Sequence, residues 1–185
     1  HIWFTGIVRH ASQTDYSAYG IPTQHSVIVK GKAGSPYAIA DYYDVSPDLA
    51  EDVEQRFAEF KALVQRVHAC GMKVIVDFVP NHVAREYKSV CRPNGVADLG
   101  ENDNTSLHFS IENNFYYCWG KPFEPSISLT NSAGNTYHEQ PAKATGNDRF
   151  DNHMRPSSST TALTIATLAA EANTSTPCLT HGKKW

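Results

Sequence analysis

The chain opens on Ile2-Trp3-Phe4-Thr5-Gly6-Ile7-Val8, a short apolar run rich in β-formers, which predicts a buried strand. From residue 9 to about residue 48 the pattern is polar and aperiodic, with turn signals at Gly20-Ile21-Pro22 and between Gly31 and Pro36, and it predicts one long loop. Tyr16, Tyr19, Tyr37, Tyr42 and Tyr43 punctuate that loop. Aromatics are scarce in disordered segments, so they mark it as functional. Val53, Phe57, Phe60, Leu63, Val64 and Val67 then recur at helical spacing. Pro47 and Asp48 lie upstream, acids crowd the first turn, and Gly71 stands where the helix must stop. Val74-Ile75-Val76 follows as a continuous apolar core, the pattern of a parallel strand covered on both faces. Strand, loop, helix, strand is a βαβ unit, whose crossover is expected to be right-handed. Ligands bind at the carboxyl ends of such strands, which is where residues 77–82 fall.

Residues 83–153 are polar, aromatic and loop-rich, with a short strand expected at 106–110; they read as an excursion from an α/β core. Residues 154–185 change again to a Ser/Thr-dominated tail without a convincing apolar face.

The length of 185 residues suits one domain or slightly more. Sixteen basic against nineteen acidic residues leave a net charge of -3, which gives no electrostatic case for nucleic acid or an anionic membrane surface. No apolar run is long enough for a membrane-spanning helix. Cys70, Cys91, Cys118 and Cys178 stand at wide, irregular spacings that suggest neither a zinc site nor a disulfide framework. That pattern favours a reducing, cytoplasmic compartment without fixing it. His1 is not an initiator Met, so the lack of a signal-peptide pattern proves nothing about a leader.

Two clusters carry candidate chemistry. In Asp77-Phe78-Val79-Pro80-Asn81-His82 a carboxylate, an amide and an imidazole gather where a strand meets a loop. An amide oxygen suits a hard cation such as Ca²⁺, and an imidazole can donate to or accept from a hydroxyl-rich ligand. The plainer alternative is a satisfied loop junction, with Asp77 capping backbone N–H groups and His82 half-buried. Gly34-Ser35-Pro36-Tyr37-Ala38-Ile39-Ala40-Asp41-Tyr42-Tyr43 offers tyrosine faces on which sugar rings can stack, or else ordinary loop packing. Arg149-Phe150-Asp151 resembles an arginine-positioned nucleophile, but turn formers precede it where a rigid strand end is needed.

Together these segments resemble the α-amylase family of glycoside hydrolases (family 13). Asp77, Asn81 and His82 match its Asp-x-x-x-x-Asn-His motif in full. His1-Ile2-Trp3-Phe4-Thr5, the run GSPYAIADYYDVSPD and the run YHEQPAKATGND resemble further family segments in the family's order. The resemblance covers residues 1 to about 152 and implies an α/β fold: a partial (β/α)₈ TIM barrel. Strands two and three with their helix would span residues 1–82, and domain B would be inserted at 83–153. A complete barrel takes about 250 residues, so a chain incomplete at both ends is expected. The implied activity is retaining hydrolysis of α-glucosidic bonds in starch-like glucans, with an α-glucan or maltooligosaccharide as substrate. By the same resemblance, Tyr37 would stack on the sugar at the cleavage subsite and His82 would hydrogen-bond it. Asn81, with Asp103, would bind a Ca²⁺ tying domain B to the barrel, and Asp77 would organise the strand end. No segment matches the regions that carry the nucleophile and the general acid, so no catalytic residue is assigned and the chain alone is expected to be inactive. The alternatives are a non-catalytic α-glucan-binding module or a non-functional truncated product.

The tail invites one more expectation. Arg155-Pro156-Ser157-Ser158-Ser159-Thr160-Thr161-Ala162 can be encoded so that regrouping by one base reads Thr-Val-Lys-Leu-Asn-Tyr-Gly. Such a segment follows domain B in bacterial members of the family. Residues 154–185 are therefore expected to be out of frame and unstructured; coding DNA that confirms the printed frame would refute this.

Overall fold

The computed structural model describes residues 1–80, 82–125 and 127–144, together with the backbone of Thr174 and Ser175. β1 (Ile2–Phe4) and β4 (Val74–Val76) pair in parallel, with Ile2 opposite Val74, Trp3 opposite Ile75 and Phe4 opposite Val76. Between them runs α1 (Arg56–Ala69). A 3₁₀ turn at Val53–Gln55 leads into it, and the Asp52 carboxylate caps that turn by accepting from Glu54 N at 2.9 Å. After α1 the chain reverses at Gly71, whose φ of +70° favours glycine. Phe60 of α1 meets Phe4 of β1 edge-on at 6.2 Å, which seats the helix on one face of the strand pair. The strand–helix–strand order read from the periodicity is therefore present.

Three expectations change. The opening run is not one strand. Gly6 takes φ +69° and the chain turns there, so Val8–His10 forms a separate strand, β2. Its partner is β3 (Ile39–Val45), antiparallel with an irregular register, and β3 lies inside the stretch expected to be loop. β1 and β4 are not covered on both faces either. Trp3 is 67% exposed and Ile75 46%, because side chains alternate along a strand and theirs face away from the helix. Finally, residues 106–110 form no strand. Residues 83–144 are loop-rich as expected, pinned by β5 (Val83–Ala84), β6 (Tyr117–Cys118) and β7 (Ala142–Lys143). β6 and β7 pair antiparallel, and β5 pairs with β8 (Thr174–Ser175).

The core lies where the two halves meet. Ala11, Val29, Ala38, Ala40 and Ala84 form one buried cluster, and their small side chains let β2, β3 and β5 approach closely. Val83, Phe115 and Tyr117 form another, with Tyr42, Tyr87 and Leu99 packed against it. Arg149 and Asp151, and the tail apart from β8, lie outside the described residues.

Candidate functional site

β3 and the loop after β4 bring the candidate residues together. Tyr37 sits at the end of a turn closed by Ala38 N donating to Ser35 O at 2.9 Å. Gly34 is obligatory in that turn: its φ is +75°, and a Cβ would stand 1.7 Å from the Ala11 carbonyl oxygen. The turn is thus pressed onto the end of β2, and Ala11 N donates to Ala38 O at 2.9 Å to lock it there. Tyr37 remains 43% exposed. His82, half-buried at the entry to β5, hydrogen-bonds the Tyr37 backbone. Burial pulls its imidazole pKa below the ordinary value, against the opposing effect of that hydrogen bond. The fold thus joins the imidazole of His82 to the backbone of an exposed tyrosine forty-five residues away in sequence.

Asp77 lies at the end of β4, where its N–H donates to Phe4 O at 3.2 Å and its carboxylate accepts from the Trp3 indole at 2.6 Å. Asp77 thereby ties the ends of β1 and β4 together. Asn81 lies outside the described residues. Asp103 is engaged by the 114–117 segment. Its Oδ1 accepts from Asn114 N at 2.7 Å, and its Oδ2 accepts from Phe115 N at 2.9 Å and the Tyr117 hydroxyl at 3.0 Å. Phe115 and Tyr117 in turn pack on Val83, next to His82.

Among the described residues, Asp41, Asp44 and Cys91 come near enough to one another to hold a metal ion, with ligand atoms within 4.8 Å. Their charge is already matched. Arg9 lies 3.4 Å from Asp41 and 3.1 Å from Asp44, and Arg56 lies 2.6 Å from Asp44. The Arg9 Nε contact with Asp44 is an ion pair without hydrogen-bond geometry. Asp41 also accepts from Tyr43 N, Ser89 Oγ, Val90 N and Cys91 N. A cation would have to displace two arginines, so the cluster is a structural ion-pair network.

Sequence reasoning passed over two further groups. Arg85, fully buried, forks onto Glu139 with both contacts at 3.1 Å and stacks over Phe123 at 3.7 Å. Lys143 donates back to Arg85 O at 2.9 Å, and burial lowers its pKa. These contacts pin residues 137–143 to β5. Tyr42, read from sequence as one of the loop tyrosines and one face of the Gly34–Tyr43 cluster, has its hydroxyl 2.6 Å from Val79 O and 3.3 Å from His82 O. The sequence signal for it was its place one residue after an Asp in an otherwise apolar Ala38–Ala40 run.

The family model described as "Alpha amylase, catalytic domain" matches residues 1–141. Maltase 1 of Drosophila virilis is 38% identical over 67 residues, which are 34% of this chain and 10% of that protein. A crystal structure of an α-amylase from Lactobacillus plantarum is 34% identical over 48% of this chain and 16% of that one, with a TM-score of 0.32. The chain thus spans about a tenth of the curated relative and a sixth of the solved structure that it matches. The matched region runs from β1 past Glu139 and takes in Tyr37, Asp77 and His82, and over that span the chain belongs to the α-amylase family of glycoside hydrolases.

Proposed function

We propose that this chain is the sugar-gripping part of an enzyme that hydrolyses α-glucosidic bonds in starch-like glucans. In this reading β1, α1 and β4 are two strands and a helix of a (β/α)₈ barrel, and residues 83–153 are its domain B. The observation that carries the reading is that the exposed Tyr37 lends its backbone to the half-buried His82 imidazole. A tyrosine face suits the apolar face of a glucose ring, and the His82 ring nitrogen that does not donate to the Tyr37 backbone can accept from a sugar hydroxyl. Retaining cleavage further requires a nucleophilic carboxylate and a protonated one about 5–5.5 Å apart. No residue of this chain is assigned to either role, so the chain by itself binds glucan without turning it over.

Ca²⁺ supplies no step of this proposal. In the family such an ion would tie domain B to the barrel, but both oxygens of Asp103 are already engaged by the 114–117 segment. The residues described do not fit a calcium site centred there.

Native gels containing amylose, run against gels containing cellulose, test the proposal. The 185-residue chain is expected to be retarded by amylose alone and to release no reducing sugar. Tyr37→Ala and His82→Ala should each weaken retention by about tenfold, the size of one lost stacking or hydrogen-bonding contact. Unretarded migration of the wild-type chain would sink the binding claim, and turnover would sink the claim of inactivity.

A further inference from the structure

The loop that carries His82 joins β4 to β5. It leaves β4, passes through Val79 and Pro80, and re-enters structure only at β5 (Val83–Ala84). Pro80 has no N–H to contribute. The side chain that bridges this loop comes from β3. The Tyr42 hydroxyl stands 2.6 Å from Val79 O and 3.3 Å from His82 O, so its single proton is shared between two carbonyls that bracket the turn. The ring is held independently of that hydroxyl. It packs against Phe78 at 5.6 Å and Tyr87 at 5.9 Å, and the Tyr42 backbone N–H donates to the Tyr87 hydroxyl at 3.3 Å. The phenol is mostly buried, and burial pushes its pKa up to about 12, so it keeps its proton at any working pH.

We propose that Tyr42 is the positioning residue of this site: its hydroxyl clamps Val79 and His82 so that the His82 ring meets the backbone of Tyr37. β3 would then act twice. The turn at its start presents Tyr37, and its fourth residue, Tyr42, sets the imidazole that Tyr37 works with. The clamp rests on the reading of Tyr37 and His82 as the sugar-holding pair only for its effect on binding; its effect on the loop stands without it.

Tyr42→Phe tests this in the full chain, because it removes the hydroxyl and keeps the ring. Tyr137→Phe is the matched control, a buried phenol whose hydroxyl donates to Glu139 rather than to this loop. Hydrogen exchange without glucan is measured first. Tyr42→Phe is expected to speed exchange of the Val79 and His82 amides about tenfold while the amides of α1 stay as in wild type. Tyr137→Phe should leave the Val79 and His82 amides unchanged. Affinity for maltoheptaose is measured second, and Tyr42→Phe should weaken it about three- to tenfold. The proposal is overturned if Tyr42→Phe leaves the loop amides unchanged, if both variants speed them equally, or if Tyr42→Phe alone loses its cooperative melt. If the wild-type chain shows no affinity for maltoheptaose while the loop amides respond, the glucan reading fails and the clamp survives.

Discussion

Asp103 shows how a single residue's role depends on what surrounds it. As a sequence position it is an acid in the polar run Glu101-Asn102-Asp103-Asn104, open to a metal or to solvent. In the fold it receives two backbone N–H groups and one hydroxyl, and so shapes the 114–117 segment. Asp103→Ala strips three donors of their acceptor and is expected to destabilise the chain by about 2–3 kcal/mol in a urea titration. A loss below about 0.5 kcal/mol would show those bonds to be exchangeable with water. Asp77 and His82 were singled out from sequence by their match to the Asp-x-x-x-x-Asn-His motif, since spacing alone also allowed a plain loop junction. Tyr42 was not. Tyr42 and Tyr43 are adjacent and chemically identical, yet one is packed between Phe78 and Tyr87 and the other is 42% exposed.

At the scale of elements, α1 and β3 were unequally readable for a physical reason. α1 announces itself because its apolar residues recur every three or four positions and a glycine ends it. β3 hides because two of its seven residues, Asp41 and Asp44, are charged and yet buried. A buried carboxylate erases the alternation that marks a strand, and it is tolerated only because Arg9 from β2 and Arg56 from α1 neutralise it. Arg56 also reaches Cys91 Sγ at 3.4 Å, so the same network joins β2, β3, α1 and the segment after β5. Asp44→Ala leaves both guanidinium groups short of a partner and should cost about 3–5 kcal/mol of unfolding free energy, measured by denaturant titration. A near-neutral result would mean that water enters the network and carries the charge.

For the molecule as a whole, the packing is lopsided. The buried clusters gather around β3, β5 and the 115–117 segment, whereas β1 and β4 leave Trp3, Ile75 and Val76 exposed. Two strands and one helix cannot cover both faces of a sheet. Ile75→Lys is therefore expected to change stability by less than about 0.5 kcal/mol and to raise solubility. A loss above about 2 kcal/mol would show that something covers this face in solution, and sedimentation at several concentrations would then show whether it is a second copy. The apolar run at β4 was read from sequence as a doubly covered strand; the run is there, but burial depends on neighbours that a run of side chains does not specify.

The sequence alone determined the strand–helix–strand order, the strand end that carries Asp77 and His82, and the likeness to α-amylases that the match over residues 1–141 bears out. These are local matters of side-chain period, capping and short motifs, written in consecutive residues. Tertiary structure alone decided that Tyr37 meets His82, that Asp41 and Asp44 are buried against arginines, and that Tyr42 bridges Val79 and His82. Each of these joins residues far apart in the chain, and the free energy of such a contact depends on burial and geometry that only the folded chain creates.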